Sequence, residues 1–157
     1  MASPAAAASL DLKIELPRLA LAEYHRPYVA IWIEGPAAPP RTVALWYDAD
    51  NHEDGGRKWL AEMRQWWRKG GRSLGLPTDG VTGATRAPGP QTLTLAANHP
   101  ALANLPAGQY QLAVEAVREK GGEETAKIAF QWPPKAPQTA SAKGSTELGT
   151  ITLNARP

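Results

Sequence analysis

Asp79-Gly80-Val81-Thr82-Gly83-Ala84-Thr85 places an acid, two glycines and two hydroxyls within seven residues. Asp79 and Thr82 can bond to nearby backbone N–H groups and shape a loop, while Gly80 and Gly83 permit tight turns. With only Gly83 and Ala84 directly ahead of it, the Thr85 hydroxyl has no bulky neighbour on that side. An acceptor that must enter another enzyme's cleft needs such access. A free threonine hydroxyl is a poor nucleophile, so the base and metal that activate it would belong to that enzyme, with this chain as its substrate. The same residues also compose an ordinary surface turn before Pro88-Gly89-Pro90, a reading that explains their composition but not their order. As a substrate loop, Asp79 to Pro90 is expected to be exposed and more mobile than the sheet.

Other residues with chemical potential are weaker candidates. Four of the six tryptophans, Trp46, Trp59, Trp66 and Trp67, lie on or just before the same stretch of chain. Leu60, Met63 and Trp67 recur at helical spacing, which favours packing for most of these rings. His25, in Glu23-Tyr24-His25-Arg26-Pro27-Tyr28, could donate a hydrogen bond, relay a proton or ligate a metal. With no second histidine nearby, it reads first as a hydrogen-bonded structural residue. Asp48-Ala49-Asp50-Asn51-His52-Glu53-Asp54 is rich in oxygen ligands, yet it lacks the glycine at the sixth place and the glutamate at the twelfth of a calcium loop. It reads as a solvated loop, with Asp54 near a helix start.

The elements that must position these residues are mostly strands. Leu10, Leu12, Ile14 and Leu16 alternate with Asp11, Lys13 and Glu15, the pattern of a half-buried strand. Tyr28 to Glu34 is apolar on both faces and therefore central in a sheet. Gly35 to Pro40 turns the chain into a third strand, Thr42 to Tyr47. A helix is expected over Arg57 to Lys69, stopped by Gly70-Gly71. Four further strands follow, at Gln91 to Leu95, Gln109 to Arg118, Glu124 to Trp132 and Glu147 to Leu153, with Gly121-Gly122 turning the middle pair. Pro106-Ala107-Gly108 before Tyr110 resembles the loop entering a late strand of bacterial immunoglobulin-like modules. Pro133 to Lys143 is too poor in large apolar residues to pack and is expected to be a mobile loop. The fold class is thus mainly β, an immunoglobulin-like β-sandwich of about seven strands with one inserted helix. Helix and motif share one excursion, residues 48–90, where function is expected.

Composition sets the limits. The 157 residues, 43% hydrophobic, suit one core, read as a single domain over 10–157 after a disordered leader at 1–9. That leader has neither the basic start nor the apolar stretch of a signal peptide and looks like the N-terminus of a mature exported protein. The net charge of +2, with Lys and Arg spread among Asp and Glu, does not mark a nucleic-acid protein. No apolar run approaches the roughly eighteen residues that span a bilayer. The absence of cysteine excludes disulfides, thiolate catalysis, iron–sulfur ligation and Cys-x-x-Cys-His haem attachment. A hydrolase would need a Gly-x-Ser-x-Gly elbow or a zinc spacing, and neither occurs.

The order Asp79-x-x-Thr82-Gly83-Ala84-Thr85 resembles the recognition motif of FAD:protein FMN transferases, which move FMN from FAD onto the last hydroxyl as a phosphodiester. The motif is shared with the FMN-bearing subunits of sodium-pumping NADH:quinone reductase and of the Rnf complex, although the rest of the chain shows no sign of their FMN-binding domain. Pro27 to Glu34, Lys58-Trp59-Leu60, Arg64-Gln65-Trp66-Trp67-Arg68 and Asp79 to Gly89 further resemble a family of predicted periplasmic proteins of unknown function. Its members are often encoded near PepSY-type membrane proteins and FMN transferases. This resemblance covers most of residues 10 to 132. It implies covalent FMN on Thr85, with Asp79, Thr82, Gly83 and Ala84 as the recognition residues, and a periplasmic location. It also implies two partners, the transferase and a membrane-bound redox protein that exchanges electrons with the flavin. Trp66 or Trp67, with Trp67 preferred, and His25 are then the side chains expected to contact the isoalloxazine ring. The chain would be an electron carrier and a transferase substrate instead of a catalyst. The alternative is an immunoglobulin-like docking module without cofactor.

Overall fold

The computed structural model describes residues 8–20, 24–47, 60–75, 81–119 and 121–157. Their strands are β1 (Ser9–Leu16), β2 (Tyr28–Gly35), β3 (Ala38–Trp46), β4 (Thr82–Gly83), β5 (Gly89–Ala96), β6 (Gly108–Val117), β7 (Glu123–Trp132), β8 (Gln138–Lys143) and β9 (Thr150–Arg156). In β1 the alternation does what it must, burying Leu10, Leu12, Ile14 and Leu16 while Lys13 and Glu15 face water. One sheet has the order β5-β1-β9-β8 and the other β4-β3-β2-β6-β7. All neighbours are antiparallel except β4, which runs parallel to β3.

The β1–β5 pairing and the β3-β2-β6-β7 order follow the B–E pairing and C′-C-F-G order of immunoglobulin sandwiches, with β9 where strand A would lie. The Tyr110 hydroxyl, near the start of β6, donates to the Pro106 carbonyl, the tyrosine corner of that architecture. The Pro106-Ala107-Gly108 signal therefore marks a real turn into a late strand.

Two apolar clusters lie on opposite faces of the second sheet. Between the sheets, Leu12, Ile14, Val29, Ile31, Ile33, Leu112, Val114, Ile151 and Leu153 fill the sandwich core. On the outer face, Ala30, Trp32, Leu45, Tyr47, Ala113 and Val117 meet Leu60, Met63 and Trp66 from the excursion, which includes helix α1 (Arg64–Arg68). β2 is consequently buried on both faces, as its continuous apolar run predicts.

The seven expected strands are present, and two more accompany them. β8 lies where a mobile loop is expected, because Ala140 and Ala142 pack on the core while the backbone pairs with β9. The last strand is displaced to Thr150–Arg156, leaving Glu147 and Leu148 in a buried connection. Of the helix expected over 57–69, residues 57–59 lie outside the described residues. Met63 adopts a non-helical ψ of 74°, so α1 begins at Arg64.

Candidate functional site

β3 ends in Leu45 and Trp46, which are buried with Tyr47 after them, and there the described part of the motif, Val81 to Thr85, joins the fold. The Leu45 N–H donates to the Val81 carbonyl at 2.9 Å and the Tyr47 N–H to the Gly83 carbonyl at 3.0 Å. Without these bonds the outer edge of β3 would present unpaired donors. Val81 is buried in the outer cluster. A Cβ on Gly83 would lie 3.7 Å from Trp46 Cδ1, so the motif backbone runs directly along that indole. The chain then leaves the sheet. Ala84 is exposed, Thr85 and Arg86 are half-buried, and the Arg86 guanidinium carbon stands 4.7 Å from the Trp46 ring centroid. A left-handed Gly89, φ 122°, starts β5 in the opposite sheet.

Over its described residues, 81–90, this geometry corrects the expectation of an exposed segment. Its front part is a sheet edge with a buried valine, and Ala84 and Thr85 follow where the chain crosses between the sheets. Asp79 and Gly80 lie outside the described residues, as do the Asp48–Asp54 stretch and Trp59. Thr82, Gly83, Ala84 and Thr85 are contiguous at the rim, where Ala84 is exposed and the other three are half-buried. The residues present suit the attachment of a group at Thr85.

α1 lies along the outer cluster, from Glu115 at its start toward Glu34, which Lys69 meets just past its end. Trp66 is fully buried, and its Nε1 donates to Thr42 Oγ1 at 3.0 Å. Gly71 lies against its ring, where a Cβ would approach Cδ2 to 2.5 Å, and Gly70 takes a φ of 118° to turn the chain. Trp67 is half-buried at the cluster's margin, its ring centroid 6.2 Å from that of Trp66. The helical stripe Leu60, Met63 and Trp67 thus resolves into Leu60, Met63 and Trp66 as anchors. Trp67 retains a face for other contacts.

The start of α1 has a cap that no local pattern signals. Glu115, fully buried on β6, accepts from Trp66 N–H at 2.9 Å and Gln65 N–H at 3.3 Å. These are the second and third helical N–H groups, which a local cap residue would satisfy. Burial and the neighbouring Glu123 carboxyl push Glu115 up to about 7, against the opposing pull of the two N–H groups. Glu124 shows the opposite balance. Burial raises it, but the Ser145, Thr146 and Leu148 N–H groups and the Ser145 hydroxyl together hold it down to about 2.

His25 precedes β2 at the motif's end of the sheet, its Nδ1 3.8 Å from Glu119 Oε2. The width of β3 intervenes, about 10 Å from β4 to β2. At the other end of the same outer face, Glu34, Lys69, Lys127, Gln109 and Gln111 line a groove of about 580 Å³. Glu34 is shared by Lys127 at 2.7 Å and Lys69 at 3.1 Å, and these lysines hold its carboxyl low despite its burial. Six residues of β3 separate this groove from Trp46, about 20 Å. Among the described residues no cluster of His, Asp or Glu could hold a metal ion.

Arg86 and Glu115 are the residues that motif reasoning passes over. Only Arg86 carries a signal in sequence, as a cation directly after the acceptor.

The fold is a two-sheet sandwich whose outer face is covered by a short helix. The chain belongs to the family described as "Predicted periplasmic protein (DUF2271)", whose model matches residues 9–150, and it is a periplasmic protein. No curated protein and no solved structure matches it. Among the described residues no helix is long and apolar enough to cross a membrane.

Proposed function

We propose that this protein is a periplasmic electron carrier bearing FMN as a phosphodiester on Thr85. The observation that carries the reading is the ordered set Asp79-x-x-Thr82-Gly83-Ala84-Thr85, whose acceptor end leaves the sheet beside exposed Ala84. In the transfer, the Thr85 oxygen bonds to the FMN phosphorus of FAD as the anhydride breaks. AMP leaves, and the hydroxyl proton passes to a base on the transferase. When bound, FMN supplies the redox chemistry, and the protein supplies attachment and surroundings. Val81, Gly83 and β3 fix where the tether starts, and partly exposed Trp67 offers an apolar face in the same outer layer. Arg64, Arg68, Lys69 and Arg72, all exposed on and just after α1, form a basic surface suited to an acidic face on a membrane-bound redox partner.

A second reading is an immunoglobulin-like docking module with Thr85 unmodified, favoured by the Glu34 groove and the basic surface, neither of which requires flavin. Co-expression with an FMN transferase in the periplasm separates the two. The flavoprotein reading expects fluorescence that survives denaturing electrophoresis, vanishes in Thr85→Ala and persists in part in Thr85→Ser. Colourless wild-type protein beside a known acceptor labelled in the same cells leaves the docking module.

A further inference from the structure

Arg86 differs from the other well-anchored arginines. Arg118 is bound to Glu147, Arg156 to Asp11, and Arg41 donates to the Ala103 carbonyl. Arg86 instead lies 4.7 Å from the ring centroid of Trp46, which is 2% exposed and belongs to β3, and among the described residues it forms no ion pair with a carboxylate. A guanidinium carbon held over a ring face by cation–π attraction leaves the donors that do not point at the ring available. Those donors belong to the fork that matches phosphate oxygens. Arg86 is therefore a held cation with unused donors, one residue from the acceptor hydroxyl and on an indole that the motif backbone also touches through Gly83.

We infer that Arg86, seated on Trp46, is the binding residue for the phosphodiester on Thr85, an inference that rests on the flavin reading. Transfer from FAD makes the Thr85 Oγ–P bond, breaks the P–O–P anhydride and releases AMP. The diester left behind carries one negative charge across the working pH range. Adjacent Cα atoms are about 3.8 Å apart, so the long Arg86 side chain can turn its donors to that phosphate without leaving the ring. The pairing neutralises the new charge at the sandwich rim and fixes the phosphate end of the cofactor, leaving the rest of the nucleotide to extend from a defined point. Because both partners keep their charge, the contact responds to salt instead of pH.

The test compares labelled and unlabelled forms of the full chain, with intact mass establishing the label. Labelling is expected to raise the melting temperature of wild-type protein by about 2–4 °C at low salt. That increment should fall by at least half in about 0.5 M NaCl. It should vanish in Arg86→Gln and return in part in Arg86→Lys, with flavin fluorescence anisotropy lower in labelled Arg86→Gln than in labelled wild type. An equal increment in Arg86→Gln, or one insensitive to salt in wild type, overturns the seat while leaving the flavin reading intact. If Arg86→Gln cannot be labelled, the salt response of labelled wild type decides. Wild-type protein that takes no label beside a working transferase removes both.

Discussion

The two apolar clusters on either side of the β4-β3-β2-β6-β7 sheet are built by different means. The inner one draws mostly aliphatic side chains from strands of both sheets, with Trp46, Tyr110, Phe130 and Trp132 among them. The outer one is smaller and rich in aromatic rings, and polar contacts hold its cover in place: Glu115 to the start of α1, Thr42 to the Trp66 indole, and the β3 N–H groups to the motif. Apolar burial is non-directional and makes a fold stable, whereas buried polar contacts fix position and are costly when unmatched. The inner cluster therefore defines the domain. The outer cluster places the excursion, and with it Thr85, on that domain.

The contrast can be broken from the inside first. Leu112→Ala opens a cavity at a fully buried central position and should lower global stability by about 3–5 kcal/mol, read by urea denaturation. Trp66→Ala removes more atoms but from the outer layer. It should cost about 3 kcal/mol and accelerate hydrogen exchange at Leu45 and Tyr47, the amides bonded to the motif, far more than at Val114. Equal acceleration at both places would mean that the layers unfold as one.

Acidity distinguishes the layers next. Glu115 is held at about 7 in the fold against an ordinary 4.5, so between those values the folded protein binds the proton that the unfolded chain has lost. Its contribution to stability is full below about pH 4.5 and is lost as pH rises through about 7, a decline of about 2–3 kcal/mol. Glu115→Gln should flatten this decline in denaturation curves taken across the range. An unchanged slope would remove the buried carboxyl as its cause.

Strands were legible where one physical pattern dominated. β1 alternates and β2 is apolar throughout, and each pattern has one burial consequence. β8 was hidden because its inward residues are only Ala140 and Ala142, and its pairing comes from β9. β4 has two residues and exists because β3 offers two N–H groups, which no local pattern records. The break ahead of α1 has no local signal for the same reason, since the N–H groups at its start are met by Glu115, some fifty residues away. In the site, the motif order was readable, but the Arg86–Trp46 contact was not, because forty residues separate its members in sequence. His25 was readable as a histidine of interest, whereas its Glu119 partner depends on how the ends of the strands meet.

Trp67 gives the smallest expected effect. It stands half-buried at the margin of the outer layer, so Trp67→Ala should cost about 1 kcal/mol in unlabelled protein, well below the loss for Trp66→Ala. A loss as large as that for Trp66 would make both rings anchors and leave no aromatic face for a cofactor.

Modification of Thr85, which the outer layer holds at the rim, is what we propose for this protein. Intact mass of protein from its native periplasm, with fragmentation of the peptide containing Thr85, tests it most directly. The account predicts an added mass of one FMN less one water, borne by Thr85. Unmodified Thr85 in cells whose transferase labels another acceptor, or the same mass borne by Thr82, would contradict it.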